Sequence, residues 1–261
     1  MSADSFEVLD FHQRIPVWVV PIRRQFPWLL GLVPVRSAWR EVRTPGRLLR
    51  SSGMPTLTVD QVEHYFGRLL LFRDLSVSLR SGETLVVTGA NGAGKSTLLR
   101  ILAGMLTPRS GTVTLTVEGT AVPDSEHPLR TGLVAPAVGV YEDLTARENL
   151  RFLARARRLP GADSRIDTVI DRVGLTDRAD DQVATYSSGM QQRVKYAAAL
   201  LADPPLLLLD EPVANLDAAG RDMVDALICD WRAQDRLLVV TTNRPDEADR
   251  HDRQLRIEDH R

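Results

Sequence analysis

Apolar positions along this chain fall into two kinds of short block. Thr84-Leu85-Val86-Val87-Thr88, Leu206-Leu207-Leu208-Leu209 and Leu237-Leu238-Val239-Val240 are uninterrupted and of strand length. Such runs read as strands buried on both faces, the mark of a parallel sheet covered on each side. Thr56-Leu57-Thr58-Val59 and Thr112-Val113-Thr114-Leu115-Thr116-Val117 instead alternate, which predicts strands with one exposed face. Leu69 to Phe72 and Leu75 to Leu79 add strand material to the early region, and Gly132 to Ala135 reads as a short buried strand. The middle of the chain changes period. Thr145-Ala146-Arg147-Glu148 has capping-box spacing and opens a helix carrying Leu150, Leu153 and Ala154, with Phe152 on its flank. Ile166, Val169, Ile170 and Val173 mark a second helix, closed near Gly174, and a third runs through Leu200 and Leu201. The order predicts an α/β fold: early half-exposed strands, a buried parallel sheet, and a helical insertion over about residues 137 to 185.

Chemistry enters between the first buried strand and the helix after it. Gly89-Ala90-Asn91-Gly92-Ala93-Gly94-Lys95-Ser96-Thr97 has the spacing of a phosphate-binding loop in the strand–loop–helix setting that such a loop needs. Its glycines allow a tight turn that gathers backbone N–H groups on one anion, and the helix adds the positive end of its dipole. Lys95 is placed to reach the β- and γ-phosphates, and Ser96 to put its hydroxyl on Mg²⁺. Only two of the chain's 33 basic residues are lysines, Lys95 and Lys195. A compact ammonium is what the loop requires, and an Arg fork does not replace it. The run of four leucines ends in Asp210-Glu211. A buried strand thus delivers two carboxylates at its carboxyl edge, where α/β sheets bind ligands. Asp210 is the expected Mg²⁺ holder, and Glu211 the group that orients and deprotonates an attacking water. Ser187, Ser188 and Gly189 precede a helix, as a second anion-binding cap or a plain N-cap.

Composition narrows the setting. At 261 residues the chain can bury a full core, and 43% apolar with 26% charged residues is ordinary for a globular protein. A formal net charge of −1 gives no overall basic field, so nucleic acid is not an expected partner. The single cysteine, Cys229, excludes an internal disulfide; beside Val224, Ile228 and Trp231 it is expected to be a buried, inert thiol. No stretch of about 18 uninterrupted apolar residues is present, so no membrane span is expected. Residues 1 to 53 differ from the rest, with Trp18, Trp28 and Trp39, five prolines between Pro16 and Pro45, and arginines such as Arg23, Arg24 and Arg36. This segment reads either as a basic arm resting on a membrane or membrane partner, or as a disordered tail or overcalled start before Met54.

In their order, these motifs resemble the ATP-binding subunit of an ABC transporter over residues 54 to 261, with some likeness in length to the haem-exporter subunit of cytochrome c maturation. The resemblance implies a P-loop NTPase core with a mainly parallel sheet, an antiparallel β subdomain and an inserted helical subdomain. Phe66 then matches the adenine-stacking aromatic, Tyr186-Ser187-Ser188-Gly189-Met190 the signature segment, and Asn215-Leu216-Asp217 the D-loop. Two copies are implied to pair head to tail, with ATP and Mg²⁺ between Lys95 of one and Ser187 and Gly189 of the other. Separate membrane permease subunits, a peripheral place on the cytoplasmic face of the inner or cell membrane, and export follow as expectations.

The sequence departs from the family pattern at two functional positions. Pro136 stands where the Q-loop glutamine is expected, and Asn243 where the switch histidine is expected. An Asn amide still donates a hydrogen bond to a γ-phosphate but does not titrate. His251 lies further on and reads as a surface residue. A low-turnover, ATP-dependent dimerisation switch and a soluble ABC ATPase without a transport role are the alternatives to a transporter motor.

Overall fold

The computed structural model describes residues 53–243 and 252–261. The expectations for residues 1 to 53 therefore fall, but for Gly53, outside the described residues, as does that for His251. Two sheets organise the rest. The first is antiparallel, in the order β2-β1-β4-β5: β1 Thr56–Phe66, β2 Leu69–Arg80, β4 Ser110–Val117 and the short β5 Thr120–Ala121. The second is parallel, in the order β6-β7-β8-β3-β9: β3 Thr84–Thr88, β6 Thr131–Val134, β7 Leu206–Asp210, β8 Leu237–Thr242 and β9 Arg253–Arg256.

The parallel strands are uninterrupted because each feeds two cores. On β3, Leu85 and Val87 face one core while Val86 faces the other; on β7, Leu206 and Leu208 go one way, Leu207 and Leu209 the other. A period of two buried on both sides looks like a continuous apolar run in the sequence. The first core joins this sheet to the antiparallel one through helix α1, Lys95–Leu102, with Leu57, Phe72, Leu75 and Leu115 opposite Leu98, Leu99 and Leu102. The other is closed by α2 Ala146–Ala156, α3 Ala162–Arg172, α4 Ser188–Leu200 and α5 Ala218–Ala233.

Several local expectations hold in detail. Thr145 and Glu148 form a reciprocal capping box at α2, an arrangement that stabilises a helix by about 1 kcal/mol. Asn149, one position on, binds back to the loop before it, accepting from Tyr141 N–H and donating to the carbonyls of Tyr141 and Thr145. Leu69 to Phe72 and Leu75 to Leu79 both lie in one strand, β2, with shifts in its register against β1. Cys229 is a correction: it is exposed, not buried. Helix α5 buries Gly220, Val224, Leu227 and Trp231. Cys229 follows Leu227 by two positions, about 200° around the helix, and so points away from the core.

Candidate nucleotide-binding site

Strand β3 and helix α1 present the glycine-rich loop at the carboxyl edge of the parallel sheet. Gly94 has φ of 110°, which strains any residue with a side chain, and a Cβ there would crowd Leu71 Cβ on β2 at 3.2 Å. Lys95, 6% exposed, folds back over the loop and donates to the carbonyl oxygens of Gly89 at 2.7 Å and Ala90 at 3.1 Å. The N–H of Leu98 bonds Gly94 O, closing the first turn of α1. Ser96 is exposed and Thr97 partly so.

A cleft of about 440 Å³ opens over this loop. The loop residues Asn91, Gly92, Gly94, Lys95, Ser96 and Thr97 form its floor, and Phe66, Leu69, Leu71 and Glu211 complete its lining. Phe66 is 75% exposed at the end of the β1–β2 hairpin, so it is available as a stacking surface and is no core aromatic. Ala90 and Ala93 shape the loop without lining the cleft, Ala93 being buried in the core.

The two acids at the end of β7 are fixed by the neighbouring strand. Thr241, fully buried on β8, donates its hydroxyl to Asp210 Oδ1 at 2.6 Å. The same hydroxyl accepts from the Glu211 N–H at 3.2 Å, and the Thr241 carbonyl accepts from that N–H at 3.2 Å. Asp210 is buried, and Glu211 turns out of the strand with φ of 50°, a left-handed conformation uncommon for a side-chain-bearing residue. The strand ends where this turn carries the Glu211 side chain toward the cleft. Ser96 and Asp210 offer hard oxygen donors, the type that suits Mg²⁺.

The remaining candidates stand outside the lining of the cleft. Ser187 is the N-cap of α4, its hydroxyl accepting from Met190 N–H at 3.2 Å, and Ser188 and Gly189 begin that helix. Asp217 caps α5 through Gly220 N–H and pairs with Arg193 at 2.9 Å. That N–H and that guanidinium hold its carboxyl below the usual range. Asn243 is exposed just past β8, and Pro136 follows β6, its carbonyl accepting from Lys195 at 3.4 Å. Ser187, Ser188, Gly189, Asp217 and Asn243 do not line the cleft, and neither do Gly89 and Asp210.

Three residues of the site had no motif to announce them. Thr241 reads as one more buried strand position. Tyr196, buried on α4, donates its hydroxyl to Pro212 O at 2.8 Å and so ties the segment after Glu211 to the helix headed by Ser187. Glu258 accepts from the Ala90 N–H at 2.6 Å.

The family described as ABC transporter matches residues 72–214. The taurine import ATP-binding protein TauB of Roseobacter denitrificans is 36% identical over 179 residues, covering 67% of this chain and 65% of that protein. The Nod factor export ATP-binding protein I of Cupriavidus pinatubonensis is 32% identical over 208 residues, 79% of this chain and 64% of that protein. The chain thus spans just under two thirds of the length of each. A solved structure described as the ATP-binding subunit of an ABC transporter superposes with a TM-score of 0.66 at 27% identity, covering 75% of this chain and 82% of that one. None of these three singles out the haem-exporter subunit. The loop on its strand and helix, the two-sheet fold and the matched segment agree: this chain belongs to the ABC transporter family and carries its ATP-binding domain.

Proposed function

We propose that this chain is the ATP-hydrolysing subunit of an ABC transporter, pairing with a second copy on ATP and driving transport through separate transmembrane permease subunits. The observation that carries the proposal is the division of the site. One cleft gathers the stacking aromatic, the phosphate loop and Glu211. Ser187, Ser188 and Gly189 stand at the head of α4, outside that cleft, where they are free to close over the nucleotide of another copy. ATP is then the ligand that links two chains, and hydrolysis releases them.

In this reading Phe66 stacks on the adenine, while the N–H groups from Gly89 to Thr97 and the Lys95 ammonium bind the phosphates. Ser96 and Asp210 hold Mg²⁺, which when bound offsets the charge of the phosphate oxygens. Glu211 accepts the proton of the attacking water, and Asn243 donates to the γ-phosphate. Asp217 sets the D-loop of the dimer contact by holding Arg193 and the start of α5. Residues 54–261 form the ATP-binding domain, with the helical subdomain at about residues 137–185. The chain acts at the cytoplasmic face of the membrane; no helix among the described residues is long and apolar enough to cross it. The two relatives carry names for import and for export, so kinship does not favour the expectation of export.

A specific observation favours a second reading. Pro136 offers only its backbone carbonyl, engaged with Lys195, and Asn243 does not titrate. A chain with these two residues dimerises on ATP with slow turnover, and so acts as a switch. Affinity capture of the tagged full chain from gently solubilised membranes of its native host, read by mass spectrometry, tests the transport proposal. A stoichiometric polytopic membrane partner is expected. Recovery only with soluble partners, or with none, would contradict it.

A further inference from the structure

The peptide unit joining Gly89 to Ala90 is held at both ends. Its carbonyl accepts from the Lys95 ammonium at 2.7 Å, and its N–H donates to Glu258 Oε1 at 2.6 Å. Glu258 lies 168 residues from Ala90 in sequence, in the 3₁₀ turn Ile257–His260 that follows β9. The backbone carrying it is well fixed. Leu255 and Ile257 are buried in the core beneath the loop, and β9 pairs with β3 in register, Arg256 opposite Thr88. Adjacent strands thus deliver the loop and the carboxylate that grips it. Residue 89 makes room for this contact: a Cβ on Gly89 would lie 3.1 Å from Glu258 Oε2. The Ala90 N–H holds the Glu258 carboxyl below the usual carboxylate range, so the group is ionised at neutral pH.

We infer that Glu258 is a positioning residue for the phosphate loop, fixing the Gly89–Ala90 peptide and through it the carbonyls that hold Lys95. The inference rests on the proposal that this loop binds nucleotide. Geometry and charge act in opposite directions here. A negative charge beside a triphosphate site opposes binding, whereas the hydrogen bond to Ala90 shapes the loop. Gln keeps an acceptor oxygen at the same reach without the charge. Ala keeps neither, and Asp keeps the charge on a side chain one carbon too short to reach.

Isothermal titration of the purified full chain with Mg·ATP, run on the parent and on E258A, E258D, E258Q and K95A, tests this. Loss of a charge-assisted hydrogen bond is expected to raise Kd about tenfold in E258A and E258D. E258Q is expected to bind as tightly as the parent or more so. Should E258A fail to fold, E258D and E258Q decide the matter alone. Parent-like binding by E258D, or E258Q as weak as E258D, would overturn the inference. A parent chain that does not bind Mg·ATP would instead overturn the nucleotide proposal on which it stands, and K95A marks the level of a disabled loop.

Discussion

Glu211→Gln is expected to stop turnover while leaving ATP affinity near that of the parent. The substitution removes the proton acceptor and little else. The Glu211 backbone N–H is held by the Thr241 carbonyl and hydroxyl, both at 3.2 Å, and neither contact depends on the residue 211 side chain. Asp210 keeps its own bond to Thr241 at 2.6 Å. The strained turn at φ of 50° is a backbone property that Gln inherits. General-base catalysis contributes roughly 10²- to 10⁴-fold, so the steady-state rate of phosphate release at saturating Mg·ATP should fall by about that factor. Release at the parent rate would show that Glu211 is not the base. The parent rate itself distinguishes a motor from a slow switch: where it is already as low as that of the substituted chain, Pro136 and Asn243 set the pace.

Lys95→Ala is expected to have the largest effect on binding. The ammonium is 6% exposed and sits on two loop carbonyls, so it is already gathered at the floor of the cleft. Charge-assisted bonds to phosphate oxygens contribute about 1.5–3 kcal/mol each, and losing two raises Kd by roughly 10²- to 10⁴-fold. Lys95→Arg is expected to fail as well, because a planar guanidinium is too broad for a buried place that a compact ammonium fills. Displacement of a fluorescent ATP analogue by unlabelled Mg·ATP measures both variants. Parent-like displacement by Lys95→Ala would show that Lys95 does not hold the nucleotide.

The parts of this protein that were plain in its sequence are those where one residue type does one local thing. The glycine-rich loop shows itself because a tight turn between a strand and a helix needs its glycines, and they stand in one short stretch with Lys95. The buried strands show themselves because two cores leave no polar face on β3, β7 or β8. The capping box at Thr145 and Glu148 is local for the same reason. What stayed hidden is non-local. Thr241 bonds to residues about thirty positions away, and Glu258 to one 168 positions away, and nothing in either neighbourhood marks it. Tyr196 looks like one more apolar residue of α4 until its hydroxyl is seen on Pro212 O. Cys229 fails for a simpler reason: its apolar neighbours Val224, Ile228 and Trp231 are close in sequence, but the helix turns the cysteine away from the buried stripe.

Pairing of two chains on nucleotide is read from the mass of the Glu211→Gln chain in solution, by size-exclusion chromatography with light scattering, with and without Mg·ATP. A cleft on one copy closed by Ser187 and Gly189 of another requires nucleotide to hold two chains together. A species of twice the single-chain mass is expected with Mg·ATP, and one of single-chain mass without nucleotide or when Ser187→Arg is added to block the cap. A mass that does not change with Mg·ATP, in a chain that titration shows to bind it, would rule out pairing through the nucleotide.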